Sequence, residues 1–340
     1  MITRARITTL VAAALGSAVF LYLGLPIPLL LGPMFACLIF GVSGARLQSM
    51  GTLGIFFRTF LGVVIGSSVT PDLIRNLPNQ GPTLIMIPLF VLAIGLVGYP
   101  FLRKVMGFDH ATAYYSAMPG GLQDMLIFGA EAGGDVRAMS LIHATRVLVI
   151  VSGAPIAMTL FLGLDLTRPP GLHATELPPI EIIVMIASGV AGWKIAERIG
   201  MFGASILGPL ILTAILSLSG IIHSRPPVEM IWVAQLFIGI AVGANYSGIT
   251  KRELRVDVFA GLVFSLLLAI VSVIFVVVIQ YFTKTDPLNV WLSFLPGGQA
   301  EMAMIAILSG ADVAFVVTHH LLRIFVVILA APIVARWFDR

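Results

Sequence analysis

Two short stretches hold most of the residues in this chain that are able to do chemistry. One runs from Ser116 to Met125 and carries Pro119, Gly120, Gly121, Gln123 and Asp124. The other runs from Ser293 to Met302 and carries Pro296, Gly297, Gly298, Gln299 and Glu301. Proline removes a backbone donor and clashes with the turn before it, and each glycine costs a helix about 1 kcal/mol relative to alanine. Each Pro-Gly-Gly triplet therefore predicts an interrupted helix with main-chain amides and carbonyls laid open. At membrane depth such groups are tolerated only inside protein or beside a wet cavity, and a helix N-terminus there attracts anions. Secondary transporters build solute and ion sites from such breaks. Asp124 and Glu301 fall in the first turn of the resuming helix, where they would bind a cation or proton, or cap the helix dipole.

Downstream of each stretch comes a histidine and an arginine three residues apart on one helix face: His143 with Arg146, and His320 with Arg323. A rise of 1.5 Å per residue from Asp135 or Asp312 puts these pairs roughly 12 to 17 Å along their helices, near the middle of a hydrocarbon core about 30 Å thick. A guanidinium at that depth costs at least about 2.5 kcal/mol unless it finds a partner, so function is its default reading. The arginines would hold an anionic group in their planar fork, or pair structurally with Asp124 or Glu301. The histidines would relay protons or bond to the opened carbonyls. Asp135 and Asp312 each follow a glycine by two residues and precede an apolar run, which is the pattern of an N-cap. His319 and Asn245 have no counterpart in the other stretch and rank lower.

The two stretches belong to a duplication. At a constant offset of 177 residues, Pro119 meets Pro296, Asp124 meets Glu301, Asp135 meets Asp312, His143 meets His320 and Arg146 meets Arg323. Gly62 and Gly66 likewise meet Gly239 and Gly243, and one residue of slip brings Gly32-Pro33 onto Gly208-Pro209. Several rare polar positions held in one ungapped register mark a repeat. The repeats span 1–162 and 180–340, and a proline-rich linker at 163–179 joins them. Each repeat reads as six hydrophobic segments, in the first about 7–24, 27–42, 52–69, 82–102, 111–132 and 137–161. Gly32-Pro33 and Gly208-Pro209 read as helix punctuation.

Composition fixes the solvent these elements live in. The 340 residues are 59% hydrophobic and 11% charged, against roughly 25% charged in soluble domains. Mean hydropathy is +1.04. Runs such as Thr83 to Phe101 carry no charge and are long enough to cross a bilayer, which takes about 20 helical residues. The alternation of a membrane barrel is missing, so the class is all-α and polytopic. Arg4 and Arg6 followed by an apolar stretch to Leu23 read as a first membrane helix rather than a signal peptide, because the second repeat has an equivalent. The single cysteine, Cys37, excludes an internal disulfide and any multi-thiolate metal site, and reads as a small core residue. No Ser/His/Asp pattern, phosphate loop, dinucleotide fingerprint or di-metal Glu/His signature is identifiable, so neither metal nor cofactor is implied.

Orientation follows from the basic residues. If all six segments of each half cross, the halves are parallel and lysine and arginine divide eleven to seven. If each Pro-Gly-Gly segment is re-entrant, each half crosses five times and the second is inverted. Thirteen basic residues then lie on one side, and only Arg75, Arg168, Arg225 and Lys284 lie on the other, with Arg137 beside the hairpin. The positive-inside rule selects this second arrangement, with both termini cytoplasmic. The expected fold is thus two inverted repeats, each of five crossings plus a broken or re-entrant Pro-Gly-Gly helix.

On these Pro-Gly-Gly, acidic-Met and His/Arg positions, in both halves and over almost the whole length, the chain resembles the membrane AbrB family, found mainly in bacteria. That family is distinct from the small soluble DNA-binding regulator of the same name. Its members have been labelled ammonia monooxygenases and regulators of gene expression. The resemblance extends to inverted-repeat antiporter and anion-transporter folds, an analogy of fold. It implies a bacterial inner-membrane protein. The expected function is secondary transport of a small anionic solute coupled to protons or cations, by rocking or sliding of one bundle against another. A ligand-sensing regulator is the alternative and an intramembrane oxidase the third reading. The expected partners are the lipid bilayer, the solute and a proton or cation, with no direct contact to nucleic acid and self-association open.

Overall fold

The computed structural model describes residues 3–71, 75, 80–167, 171–201 and 203–338, without the side chains of 123, 332 and 336–338. Arg168, Pro169, Pro170 and Arg340 lie outside the described residues. Among the described residues the chain is helical and contains no strand.

The first half supplies α1 (Arg4–Tyr22), α2 (Pro28–Val42), α3 (Thr52–Ser67), α4 (Gly81–Pro100), α5 (His110–Ala117), α6 (Leu122–Glu131) and α7 (Val136–Leu162). The second half supplies α8 (Pro179–Arg198), α9 (Ala204–Leu218), α10 (Val228–Gly243), α11 (Phe259–Phe282), α12 (Pro287–Phe294), α13 (Gln299–Ser309) and α14 (Val313–Phe338). A π-helical turn, Phe101–Val105, prolongs α4, and another, Leu254–Val258, leads into α11. The fifth hydrophobic segment of each half is divided, between Ala117 and Leu122 and between Phe294 and Gln299, as the proline and glycines dictate.

Among the described residues, seven helices are long and apolar enough to cross a membrane: those at Arg4–Tyr22, Gly81–Val105, Val136–Leu162, Pro179–Arg198, Val228–Tyr246, Lys251–Phe282 and Val313–Ala335. Helices α2, α3 and α9 run 15 or 16 residues, about 22 to 24 Å. The surface is apolar where lipid would lie: Leu92 and Leu96 on α4 and Val277 on α11 are 58%, 67% and 64% exposed. Water would not tolerate that over whole helices. The chain is a multi-pass helical membrane protein.

Its Cα positions group into two compact units, and each unit draws helices from both halves. One comprises 1–78, 155–247 and 303–314, hence α1 to α3, the end of α7, α8 to α10 and most of α13. The other comprises 79–154, 248–302 and 315–340, hence α4 to α6, most of α7, α11, α12, the start of α13 and α14.

The first unit is built on glycine. A Cβ on Gly16 of α1 would strike the backbone of Gly32 on α2, and one on Gly192 of α8 would strike Gly208 on α9. Gly62 and Gly66 bring α3 against Ile206 and Leu210 of α9, while Gly239 and Gly243 bring α10 against Leu30, Pro33 and Cys37 of α2. Lipid gives helices no hydrophobic reason to associate, so close backbone approach through small residues must supply the packing. Gly32 and Gly208 are therefore contact points inside continuous helices, not the punctuation expected, and Pro33 and Pro209 sit within the same helices. Cys37 is a buried free thiol in this packing.

The second unit has an aromatic and aliphatic core. Phe90 of α4, Phe264 and Leu268 of α11, Phe294 of α12 and Val327 of α14 are buried together. Phe90 and Phe294 meet edge to face at 5.2 Å. Ser272 on α11 donates to Phe294 O at 2.7 Å, tying α12 down just before its proline. Pro287 at N1 and Asp286 as N-cap start α12, with the Asp286 carboxylate accepting from Leu288 N and Asn289 N.

Candidate functional site

Each interrupted segment ends its first helix with orphan carbonyls, and in both halves the following long helix answers them. His143 Nε2 donates to Tyr115 O at 3.2 Å, and Arg146 Nη1 donates to Met118 O at 3.2 Å. In the second half His320 Nε2 donates to Leu292 O at 2.9 Å, and Arg323 Nη1 donates to Leu295 O at 3.1 Å. Arg323 Nη2 adds a bond to Gly297 O at 3.0 Å. The targets are equivalent, since Tyr115 and Met118 correspond to Leu292 and Leu295 at the same 177-residue offset. A cation at the C-terminal end of a helix also meets the negative end of its dipole.

All four side chains are buried, at 0% exposure for both histidines, 3% for Arg146 and 2% for Arg323. The structural pairing of the arginines with Asp124 or Glu301 is not formed. Among the described residues, neither guanidinium has a carboxylate within ion-pair distance. Nε of both arginines, Nδ1 of both histidines and Oγ of Ser116 and Ser293 are buried with no hydrogen-bond partner. These six atoms form three repeat-related pairs. The Arg146 charge is also close enough to act on Arg323.

The first interruption lies against α14, the helix that carries Arg323. A Cβ on Gly120 would press on Val327, one turn beyond Arg323 on α14. Tyr114 of α5 donates its hydroxyl to Ala331 O on the same helix at 2.9 Å. Asp124 is half-buried in the first turn of α6. Glu301 is 7% exposed in the first turn of α13, and its carboxylate folds back onto Gly298, where any Cβ would collide with it. That is where an N3 glutamate reaches toward the N-cap. Gln123 lies on α6, but its side chain lies outside the described residues. Gln299 opens α13, and its Nε2 is buried without a partner.

The secondary candidates are local. Asp135 Oδ1 accepts from Arg137 N at 2.9 Å and Ala138 N at 3.1 Å, capping α7. Asp312 Oδ1 accepts from Ala314 N at 3.1 Å, capping α14. Asn245 bonds to Ala241 O and Val242 O within its own turn. His319 links α14 to Thr83 on α4 at 2.8 Å. Every sequence-selected candidate except Asp312 and Asn245 falls in the second compact unit. Sequence reading missed Ser116 and Ser293 as buried polar groups, although both stand in the duplicated stretches. It also missed Thr112, whose Oγ1 accepts from Asp135 N at 2.7 Å.

Fold and site together define a multi-pass membrane protein in which two buried His/Arg pairs clamp two matched helix interruptions. The family model described as "Transition state regulatory protein AbrB" matches residues 29–339, and the chain belongs to this membrane AbrB family. It is similar to "Putative regulator AbrB" of Escherichia coli (strain K12), at 26% identity over 325 residues, 94% of this chain and 92% of that protein. It is also similar to "Uncharacterized protein YhjN" of Bacillus subtilis (strain 168), at 24% identity over 296 residues, 81% of this chain and 76% of the relative.

Proposed function

We propose that the protein is a secondary transporter of a small anionic solute, coupled to protons or cations. The observation that carries this reading is the pair of buried guanidiniums. Arg146 and Arg323 are both buried, have no carboxylate partner among the described residues, and each keep an Nε–H without an acceptor. Two like charges in a low dielectric repel, and an anion between them or near them offsets both. The N-termini of α6 and α13, freed by the diglycines, add donors and positive dipole ends to the same region. In this reading Arg146 and Arg323 neutralise or hold the solute, while Asp124 and Glu301 handle the coupling cation or proton.

The re-entrant form of the interrupted segment, and with it the inverted repeat, are part of the proposal. The bond from Asp135 N to Thr112 Oγ1 supports it, because it joins the two ends of the segment. So does the contact of Tyr115 with Phe128 at 6.3 Å across the break. With five crossings per half, the thirteen-to-four division of basic residues supports cytoplasmic termini, and the family resemblance supports a bacterial inner membrane.

Reconstitution into proteoliposomes tests the function. Uptake of a labelled anion should be saturable and driven by an imposed proton or sodium gradient. Arg146→Lys and Arg323→Lys should each cut it at least tenfold. Gradient-independent leakage, or no uptake of any anion that stabilises the purified protein, rules the reading out. The name of the E. coli relative favours a second reading, a membrane-embedded sensor that regulates gene expression. Tight anion binding without flux selects it.

A further inference from the structure

The second compact unit contains a cavity of about 570 Å³ whose wall includes Phe108, Asp109, Asp135, Arg137, Glu253 and Asp257. Both π-helical turns lead to it. Leu254–Val258 carries Asp257, and Phe101–Val105 runs directly into the segment ending at Phe108. Such turns are rare and collect at functional sites.

The carboxylates on the wall are unequal. Glu253 is bound by Arg137 Nε at 2.8 Å and by Thr250 N at 2.6 Å. Asp109 accepts from Thr112 N and Asp135 from Arg137 N and Ala138 N, so both are occupied as helix caps. Asp257 has no such engagement. It is 8% exposed, lies on the cavity wall, and forms no hydrogen bond or ion pair among the described residues. The charges acting on it are Asp135, Glu253, Arg252 and Arg137. Four carboxylates against the guanidiniums of Arg137 and Arg252 leave the wall two units negative.

A buried, unpaired carboxylate in a negative cavity calls for a cation. Among the described residues no group of three acidic, His or Cys side chains could hold a metal ion. The volume falls in the range of about 300 to 1,000 Å³ that suits small molecules. Phe108 and Asp257 line the same cavity, and an aromatic face together with a carboxylate suits an ammonium group. We propose that this cavity binds a small organic amine in its cationic form, with the Asp257 carboxylate accepting from the ammonium and the Phe108 ring offering its face. The proposal does not depend on whether the protein moves a solute.

Calorimetric titration and thermal shift of the purified full-length protein in detergent test it, with methylamine, putrescine and sodium chloride compared at one ionic strength. A saturable amine-dependent rise in Tm that sodium chloride does not reproduce is the expected result. Asp257→Asn should weaken amine binding at least tenfold, and Arg252→Gln, at an exposed position, should tighten it severalfold. If Asp257→Asn does not fold, Phe108→Leu and Arg252→Gln carry the test, with opposite shifts in affinity expected. Unchanged affinity in these variants, or equal stabilisation by sodium chloride, overturns the proposal.

Discussion

A guanidinium within a bilayer and a broken helix within a bilayer pose opposite problems, one of unmatched donors and the other of unmatched acceptors. Arg323 answers both at once by bridging Leu295 O and Gly297 O, whereas Arg146 bonds Met118 O. Lysine keeps the charge but cannot span two carbonyls. Arg323→Lys should therefore cost about 1 to 3 kcal/mol of stability, the range for a buried acceptor left unmatched, and more than Arg146→Lys does. Thermal unfolding of the purified variants checks the order, and equal losses would contradict the bridging role. The histidines make a sharper case, because Nε2 donates in both halves. Glutamine puts an amide nitrogen near Nε2, and asparagine puts one near Nδ1. His143→Gln should keep Tm within a few degrees of the parent, while His143→Asn should lose about 1 to 3 kcal/mol. The reverse order would mean that the ring is held through its other nitrogen. The sequence announced these residues by type and depth alone. It could not announce their targets, because Tyr115, Met118, Leu292 and Leu295 contribute carbonyl oxygens that every residue possesses.

The helices themselves were legible, since apolar length, N-caps and prolines set their ends. Thr52–Ser67 and Pro28–Val42 fall within a few residues of the hydrophobic runs 52–69 and 27–42 that predict them. Which helix lies against which was not legible, because in lipid the choice rests on where small residues let backbones approach rather than on an apolar stripe. Thus Gly62 and Gly66 were visible as a repeated pair, but their partner, α9 from the other half, was not. The same blindness made Gly32 look like a break. The packing can be tested by contrast. Gly62→Val would drive a branched side chain into Ile206 O and Pro209, at a cost of about 1 to 3 kcal/mol. Gly153 on α7 has open space within 4 Å of where a Cβ would stand, so Gly153→Ala should be neutral, or stabilising by up to about 1 kcal/mol. Differential scanning fluorimetry on both variants gives the answer, and a Gly62→Val protein as stable as the parent would remove α3 from the α9 contact.

At the scale of the whole molecule, the first three helices of each half fall in one compact unit and the fourth and fifth segments start the other, as they would if the halves arose by duplication and exchanged partners. Duplication leaves the number of crossings per half open, and parity decides the rest: an odd number forces the second half to run opposite to the first. The competing topologies differ most plainly at Arg225 and Lys251, both exposed and separated by α10. With five crossings and a re-entrant segment in each half, Arg225 faces outward and Lys251 faces the cytoplasm. With six crossings the two exchange sides. Cys37 is the sole cysteine and is buried, so a Cys37→Ala background leaves no native thiol to label. In that background a membrane-impermeant maleimide should label Arg225→Cys in intact cells and Lys251→Cys only after lysis. The opposite pattern would make the halves parallel, turn the basic residues' division into eleven against seven, and remove the geometric basis for two mirrored half-sites facing one solute.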